Sequence, residues 1–72
     1  MKYERNEILI AARKKSGKTQ AQVAKETNIA IIAYQSYERG RRTPIVTTAN
    51  RIARLLGTTS EKLWGYGAQG VM

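Results

Sequence analysis

The residues best suited to chemistry in this chain are its arginines. Arg39, Arg41 and Arg42 lie within four consecutive positions, and a guanidinium binds phosphates and guanine edges through paired hydrogen bonds. The 72-residue chain has 13 basic against 5 acidic side chains, a net charge of +8. This balance favours an anionic partner, with nucleic acid first and an acidic membrane surface second. A merely solubilising surface is the alternative.

The chain has few residues suited to catalysis or to metal binding. The chain has no cysteine, histidine or aspartate, and its five glutamates are scattered among basic residues. Neither a nucleophile–base pair nor a metal site can be assembled from this set, so we expect no enzyme and no cofactor. No apolar run is long enough to span a bilayer, and the polar start does not resemble a signal peptide. We expect a cytoplasmic, nucleoid-associated protein without a small-molecule ligand.

The glycines and the single proline divide the chain into blocks of helical length. Helices are predicted over about 4–15, 20–27, 30–39 and 44–56, followed by a short one from about 59. The fold class is therefore all-α, a compact five-helix domain over residues 1–65. The glycine-rich residues 66–72 are predicted to be a flexible tail.

Several predicted boundaries rest on local capping patterns. Residues 19–22 have the spacing of a capping box, and Asn28 can close the second helix in a left-handed conformation. Thr43-Pro44 reads as a cap followed by proline at the first helical position. The last helix begins near Thr59, although Thr58 with Glu61 is an equally good capping box.

The third block is the least certain from local pattern. Its isoleucines and tyrosines favour a strand, and Ala30 is a poor helix cap. Ala33 and Tyr37 are nevertheless i, i+4 partners that would face inward, and Gly40 is a typical helix stop. Helix is the favoured interpretation, with an edge strand as the alternative.

This arrangement resembles the Cro/lambda-repressor-like (XRE-type) helix-turn-helix family over about Ile8 to Trp64. Each matching pair of residues is weak alone, but all of them in register are specific. The matching segments are Ala12-Arg13-Lys14, Thr19-Gln20, Val23-Ala24, Tyr37-Glu38-Arg39-Gly40, Thr43-Pro44, Ile52-Ala53 and Leu56-Gly57.

The resemblance implies roles for particular residues. Arg13 and Glu38 match an internal ion pair of the family, and Gln20 stands where the family contacts a phosphate, although it could be a plain surface residue. The recognition helix, about 30–39, would lie in the major groove. The residues that would contact DNA from that helix and its bordering loops are Lys18, Thr19, Gln20, Ile31, Ile32, Gln35, Ser36, Arg39, Arg41, Arg42 and Thr43.

Within the recognition helix, Gln35 could pair with an adenine edge, and Arg39 with a guanine or a phosphate. The sequence departs from the family at Ala30, where a cap hydroxyl is usual, and at Ile31 and Ile32, where polar readers are usual. Tyr34 also replaces a compact aliphatic residue. The isoleucines could pack on thymine methyl groups, or one of them could turn into the core.

The implied function is a sequence-specific, double-stranded DNA-binding transcriptional regulator, a phage or bacterial repressor acting as a homodimer on a palindromic operator. It could be a minimal regulator or part of a longer protein. One alternative is an antitoxin-type regulator. Others are a protein-interaction module using the face of Ile31, Ile32 and Tyr34, and a non-specific nucleic-acid coat protein.

Overall fold

A computed structural model describes residues 4–65. Within this range the chain forms α1 (Glu7–Lys15), α2 (Gln20–Glu26), α3 (Ile31–Arg39), α4 (Val46–Leu56) and α5 (Ser60–Trp64), with no strand. The predicted all-α class is confirmed, and the third block is helix and not an edge strand. The prediction of a flexible tail at 66–72 falls outside the described residues.

Every helix contributes to one hydrophobic core. Tyr34 of α3 lies fully buried at its centre, and Tyr37 extends the packing to α5 through edge-to-face contacts with Tyr34 and Trp64, each with ring centroids 6.5 Å apart. Such contacts add to the stabilisation that burial of the rings already provides. The buried cluster consists of Leu9, Val23, Ala24, Tyr34, Ile52, Ala53 and Leu63.

The first helix begins later than the sequence suggested, at Glu7 instead of Glu4. Its N-cap is Asn6, whose Oδ1 accepts from the backbone N–H of Leu9 at 3.0 Å. The amide nitrogen of Asn6 donates to the carbonyl of Leu63 at 2.9 Å, so the same side chain also fastens α1 to α5. Asparagine is among the preferred N-caps, but its second bond depends on the tertiary fold.

The start predicted for the fourth helix was wrong. Pro44 is fully buried and extended into the core, so the helix begins only at Val46, with Ile45 as an N-cap that makes no side-chain hydrogen bond. Thr43 is therefore not the cap. Burial of the proline ring outweighed the local preference for proline at the first helical position.

Other helix ends follow their local sequence. The capping box is present, with Thr19 Oγ1 accepting from the N–H of Gln22 and Gln22 Oε1 accepting from the N–H of Thr19. Asn28 adopts a φ of 60° as predicted. Thr59, and not Thr58, caps α5 by accepting from the N–H of Lys62 at 3.2 Å.

The segment before α1 lies against the end of α3. The N–H of Asn6 donates to the carbonyl of Glu38 at 2.9 Å. Gly40 closes α3 at a φ of +79°, and a Cβ at this position would overlap the carbonyl oxygen of Glu4. Glycine is thus required here both for the left-handed conformation and for this close approach.

Candidate nucleic-acid interface

The second and third helices pack against each other and are joined by a turn over residues 27–30. The N–H of Ile29 donates to the carbonyl of Ala24 at 2.8 Å, and the buried Thr27 hydroxyl donates to the carbonyl of Val23 at 2.6 Å. Arg51 of α4 is exposed and donates to the carbonyl of Thr27 at 3.3 Å. These bonds fix the angle at which α3 leaves α2.

The third helix has a buried face and an exposed face. Tyr34 and Glu38, one helical turn apart, are buried, while Ala33 and Tyr37 beside them are half-buried. Ile32 is 74% exposed and Ile31 38% exposed, so neither isoleucine belongs to the core. Because Tyr34 is fully buried, it cannot form a surface with them, and the face predicted from these three residues was wrong in that member.

Arg13 and Glu38 are brought together beneath α3. Arg13 donates to the carboxylate through Nε at 2.6 Å and Nη2 at 3.3 Å, and the two side chains are only 13% and 4% exposed. The Nη1 atom of Arg13 also donates to the carbonyl of Lys18 at 3.0 Å. A paired contact of this kind connects α1, the loop before α2 and the end of α3 with defined geometry.

A relay of side chains continues from this ion pair toward the surface. Gln20 donates its Nε2 to Glu38 Oε1 at 2.9 Å. Since a carboxylate can only accept, this contact fixes the orientation of the Gln20 amide and turns its oxygen toward Gln35. Gln35 then donates its Nε2 to that oxygen at 3.3 Å.

The hydrogen bond to Gln20 already engages one N–H of the Gln35 amide. An adenine-reading glutamine needs an N–H for N7 of the base, and in this structure the half-buried Gln35 amide donates to Gln20. The Gln35 amide has a second N–H group, so its bond to Gln20 does not by itself prevent a contact with N7 of an adenine. Gln20 has two N–H groups on its amide, so its bond to Glu38 remains compatible with a phosphate contact.

The ionised forms of Glu38 and Arg13 are stabilised by the groups around them. Burial acts to raise the pKa of Glu38, but the interactions of its carboxylate with Arg13, with the nearby Tyr34 hydroxyl and with Gln20 outweigh it, and the pKa is lowered from its usual value. The hydrogen bond to Glu38 raises the pKa of Arg13 despite its desolvation. Burial also raises the pKa of the Tyr34 hydroxyl, which lies close to both groups but has no well-formed hydrogen bond among residues 4–65.

The remaining predicted contact residues border the exposed face of α3. Arg39, Arg41, Arg42 and Thr43 are all exposed at its C-terminal end. On the α2 side, Thr19 uses its hydroxyl for the capping box, and Lys18 pairs with Glu26 at 3.1 Å. Lys18 would have to exchange this partner to bind a phosphate, whereas Ser36 on α3 itself donates its hydroxyl to the carbonyl of Ile32 at 3.0 Å.

Two features of the structure escaped sequence reasoning. Ile45 is 72% exposed at the start of α4, a position that the sequence pattern had assigned to the helix itself. The relay from Gln20 to Gln35 joins residues 15 positions apart in the chain. Their shared amide chemistry was visible in the sequence, but their meeting depends on how α2 crosses α3.

Comparisons with known proteins give one match. A helix-turn-helix family model matches residues 9–63. Searches among curated proteins and among solved structures return no significant match. Among the helices that the structure describes, none combines the length and the apolar character needed to cross a bilayer.

Proposed function

Because the chain belongs to the helix-turn-helix family of Cro/lambda-repressor (XRE) type, a family of DNA-binding transcription regulators, we propose that it is a sequence-specific regulator that binds double-stranded DNA with α3 in the major groove. The proposed regulator acts as a repressor and binds a palindromic operator as a homodimer. Its place of action would be the bacterial cytoplasm.

The observation that carries this proposal is the division of α3 into two faces. Tyr34 and Glu38 anchor one face in the core and in the Arg13 ion pair, so the helix is held rigidly. The other face is exposed and ends in Arg39. A helix fixed on one side and free on the other, with its length accessible to solvent, fits the dimensions of the major groove.

The charges around α3 suit the two phosphate backbones that border a groove. Arg41 and Arg42 are exposed just beyond its C-terminus, and Lys18 and Gln20 lie at the start of α2, where Gln20 is bonded to Glu38 of α3. Phosphate contacts from such positions orient the protein without reading sequence. If a dimer makes about six of them, its affinity should fall by about three orders of magnitude between 50 and 200 mM salt.

Dimerisation is proposed because one α3 of this size covers only one half-site. A two-fold pair would place the two helices about 34 Å apart, one turn of DNA, and would select palindromic sites with that spacing. Sedimentation of the protein with a single-site duplex should then give two chains per duplex. One chain per duplex would remove the dimer from the proposal but not the groove contact.

Selection from a random duplex pool followed by titration tests the proposal. The selected duplex and a scrambled duplex of the same composition are titrated by fluorescence anisotropy at several salt concentrations. We expect the selected duplex to bind at least about a thousandfold more tightly than the scrambled one, and both affinities to fall with salt. Equal affinity for the two duplexes would contradict sequence-specific binding and favour a non-specific coat protein.

The exposure of Ile31 and Ile32 supports one second candidate, a protein-interaction module. It would bind a protein through these side chains alone, since Tyr34 is buried. Such an association would persist at high salt and after charge reversal at Arg41 and Arg42. DNA binding would be weakened by both changes. The antitoxin-type alternative shares the DNA-binding surface and differs in requiring a protein partner as well.

A further inference from the structure

The central part of the exposed face of α3 offers few hydrogen bonds to a ligand. The Ser36 hydroxyl donates to the carbonyl of Ile32 at 3.0 Å, within its own helix. The amide nitrogen of Gln35 donates to Gln20 at 3.3 Å, on the side that faces α2. What remains directed outward over the first turn of α3 is the pair Ile31 and Ile32, 38% and 74% exposed.

Ile32 gains little from this position in the free protein. An exposed isoleucine forgoes the stabilisation that burial would give it, and a β-branched residue is a poor choice for the first turn of an uncapped helix. Ala30 makes no side-chain capping bond to compensate. Two adjacent apolar side chains, of which Ile32 is the more exposed, therefore lie at the start of a helix that ends in Arg39.

The edges of base pairs in the major groove carry one apolar group, the 5-methyl group of thymine. Successive residues of a helix point about 100° apart, so neighbouring isoleucines would reach different positions along the groove. The arginines at the C-terminal end of α3 match the phosphates that border the groove. The partner that fits both the apolar centre and the basic border is a duplex with thymines at the contacted steps.

We propose that this protein recognises its operator chiefly through thymine methyl groups packed against Ile31 and Ile32, while Gln35 remains bonded to Gln20. This inference rests on the proposed DNA-binding function. It assigns specificity to shape and apolar contact in the first turn of α3. Arg39 is left as the polar contact at the other end of the helix.

The test removes the methyl groups without altering base pairing. In the duplex selected from a random pool, single thymines are replaced by deoxyuridine, and the affinity is measured by anisotropy at constant salt. Each contacted thymine should lose about fourfold in affinity, the effect of one buried methyl-sized group. Deoxyuridine placed outside the footprint serves as the control for altered duplex properties and should change nothing.

A pair of protein variants shows whether the isoleucines are responsible for the affinity lost when thymine is replaced by deoxyuridine. Ile31→Ala with Ile32→Ala should bind thymine and deoxyuridine duplexes equally. Ile45→Ala removes another isoleucine, 72% exposed but outside α3, and should preserve the difference. Ile32 and Ile45 are largely exposed and Ile31 is 38% exposed, so the domain should still fold, which circular dichroism and thermal unfolding of each variant verify.

The possible results distinguish a failure of methyl recognition from a failure of the proposed DNA-binding function. If thymine and deoxyuridine duplexes bind equally while a scrambled duplex binds far more weakly, methyl recognition is overturned and the sequence-specific regulator stands. A methyl effect that survives the double isoleucine substitution also overturns it. If no sequence is enriched from the pool, or the scrambled duplex binds as tightly as the selected one, both proposals fail.

Discussion

Replacing Glu38 by glutamine should strongly destabilise the domain, because the carboxylate holds three donors at once. Arg13 reaches it through Nε at 2.6 Å and Nη2 at 3.3 Å, and Gln20 through Nε2 at 2.9 Å. Glutamine keeps the size of the side chain but removes the negative charge and turns one acceptor into a donor. The guanidinium of Arg13, 13% exposed, is then left without its counter-charge.

The expected magnitude follows from this burial. Breaking a buried ion pair by removing one partner costs about 3–5 kcal/mol, and the slight exposure of Arg13 favours the lower end. For a domain of this size each kcal/mol lowers the melting temperature by about 4–8 °C. A loss of about 3 kcal/mol therefore corresponds to a fall in melting temperature of about 12–24 °C.

A double-mutant cycle followed by circular dichroism distinguishes this pairing from general disruption. Glu38→Gln, Arg13→Met and the double variant are unfolded by heat and by urea. The double variant should be less destabilised than the sum of the two single variants by about 2 kcal/mol, since it leaves no stranded charge. Glu26→Gln, which breaks the more exposed pair with Lys18, is the control and should cost less than about 1 kcal/mol.

The reasoning would be refuted by additive single effects, or by a Glu38→Gln variant as stable as the Glu26→Gln control. Either result would mean that the carboxylate is solvated in the folded protein. The short contacts and the low exposure would then not describe the solution state.

Three further predictions concern pH, a glycine and an arginine. Because the pKa of Glu38 is lowered on folding, its stabilisation is complete above its unfolded pKa and is lost as pH falls through the lower, folded pKa. Urea unfolding between about pH 5 and pH 2 should therefore show a steeper acid loss in the wild type than in Glu38→Gln. Gly40→Ala should destabilise more than Gly57→Ala in urea unfolding. Both have positive φ, costing about 1–2 kcal/mol, but only at Gly40 would the new Cβ strike backbone; equal costs would contradict this. In the anisotropy titrations, Arg42→Gln should weaken selected and scrambled duplexes alike and lower the salt slope by about 1, whereas Arg54→Gln on α4 should do neither.

The parts of the fold that were predictable from sequence depend on short-range chemistry. The capping box at 19–22 is formed by atoms three residues apart, and the left-handed Asn28 is a local preference. Both are therefore visible in a few residues of sequence. The amphipathic spacing of α4 likewise fixes its buried face whatever its partners are.

The parts that were not predictable depend on contacts between distant segments. Pro44 reads locally as the first residue of a helix, but its burial in the core delays α4 to Val46. Tyr34 reads as an oversized residue on an interaction surface, but its position one turn before Glu38 places it fully inside. Local preferences cannot reveal which side of a helix the rest of the chain will cover.

The candidate site shows the same division. The pairing of Arg13 with Glu38 could be expected from the family resemblance, because both residues match its pattern. The engagement of Gln35 by Gln20 could not, since the amide hydrogen bond at 3.3 Å depends on the crossing of α2 and α3. Three-dimensional packing thus joins Gln35 to Gln20 and leaves Ile32 at the surface, with Ile31 38% exposed.

The most direct test of the central claim is a titration of the isotope-labelled protein with its selected duplex, followed by the amide chemical shifts. If α3 enters the major groove, the largest changes should fall on residues 31–39 and on the bordering positions 18–20 and 41–43. Changes confined to α1 and α5, with α3 unaffected by saturating DNA, would contradict the claim.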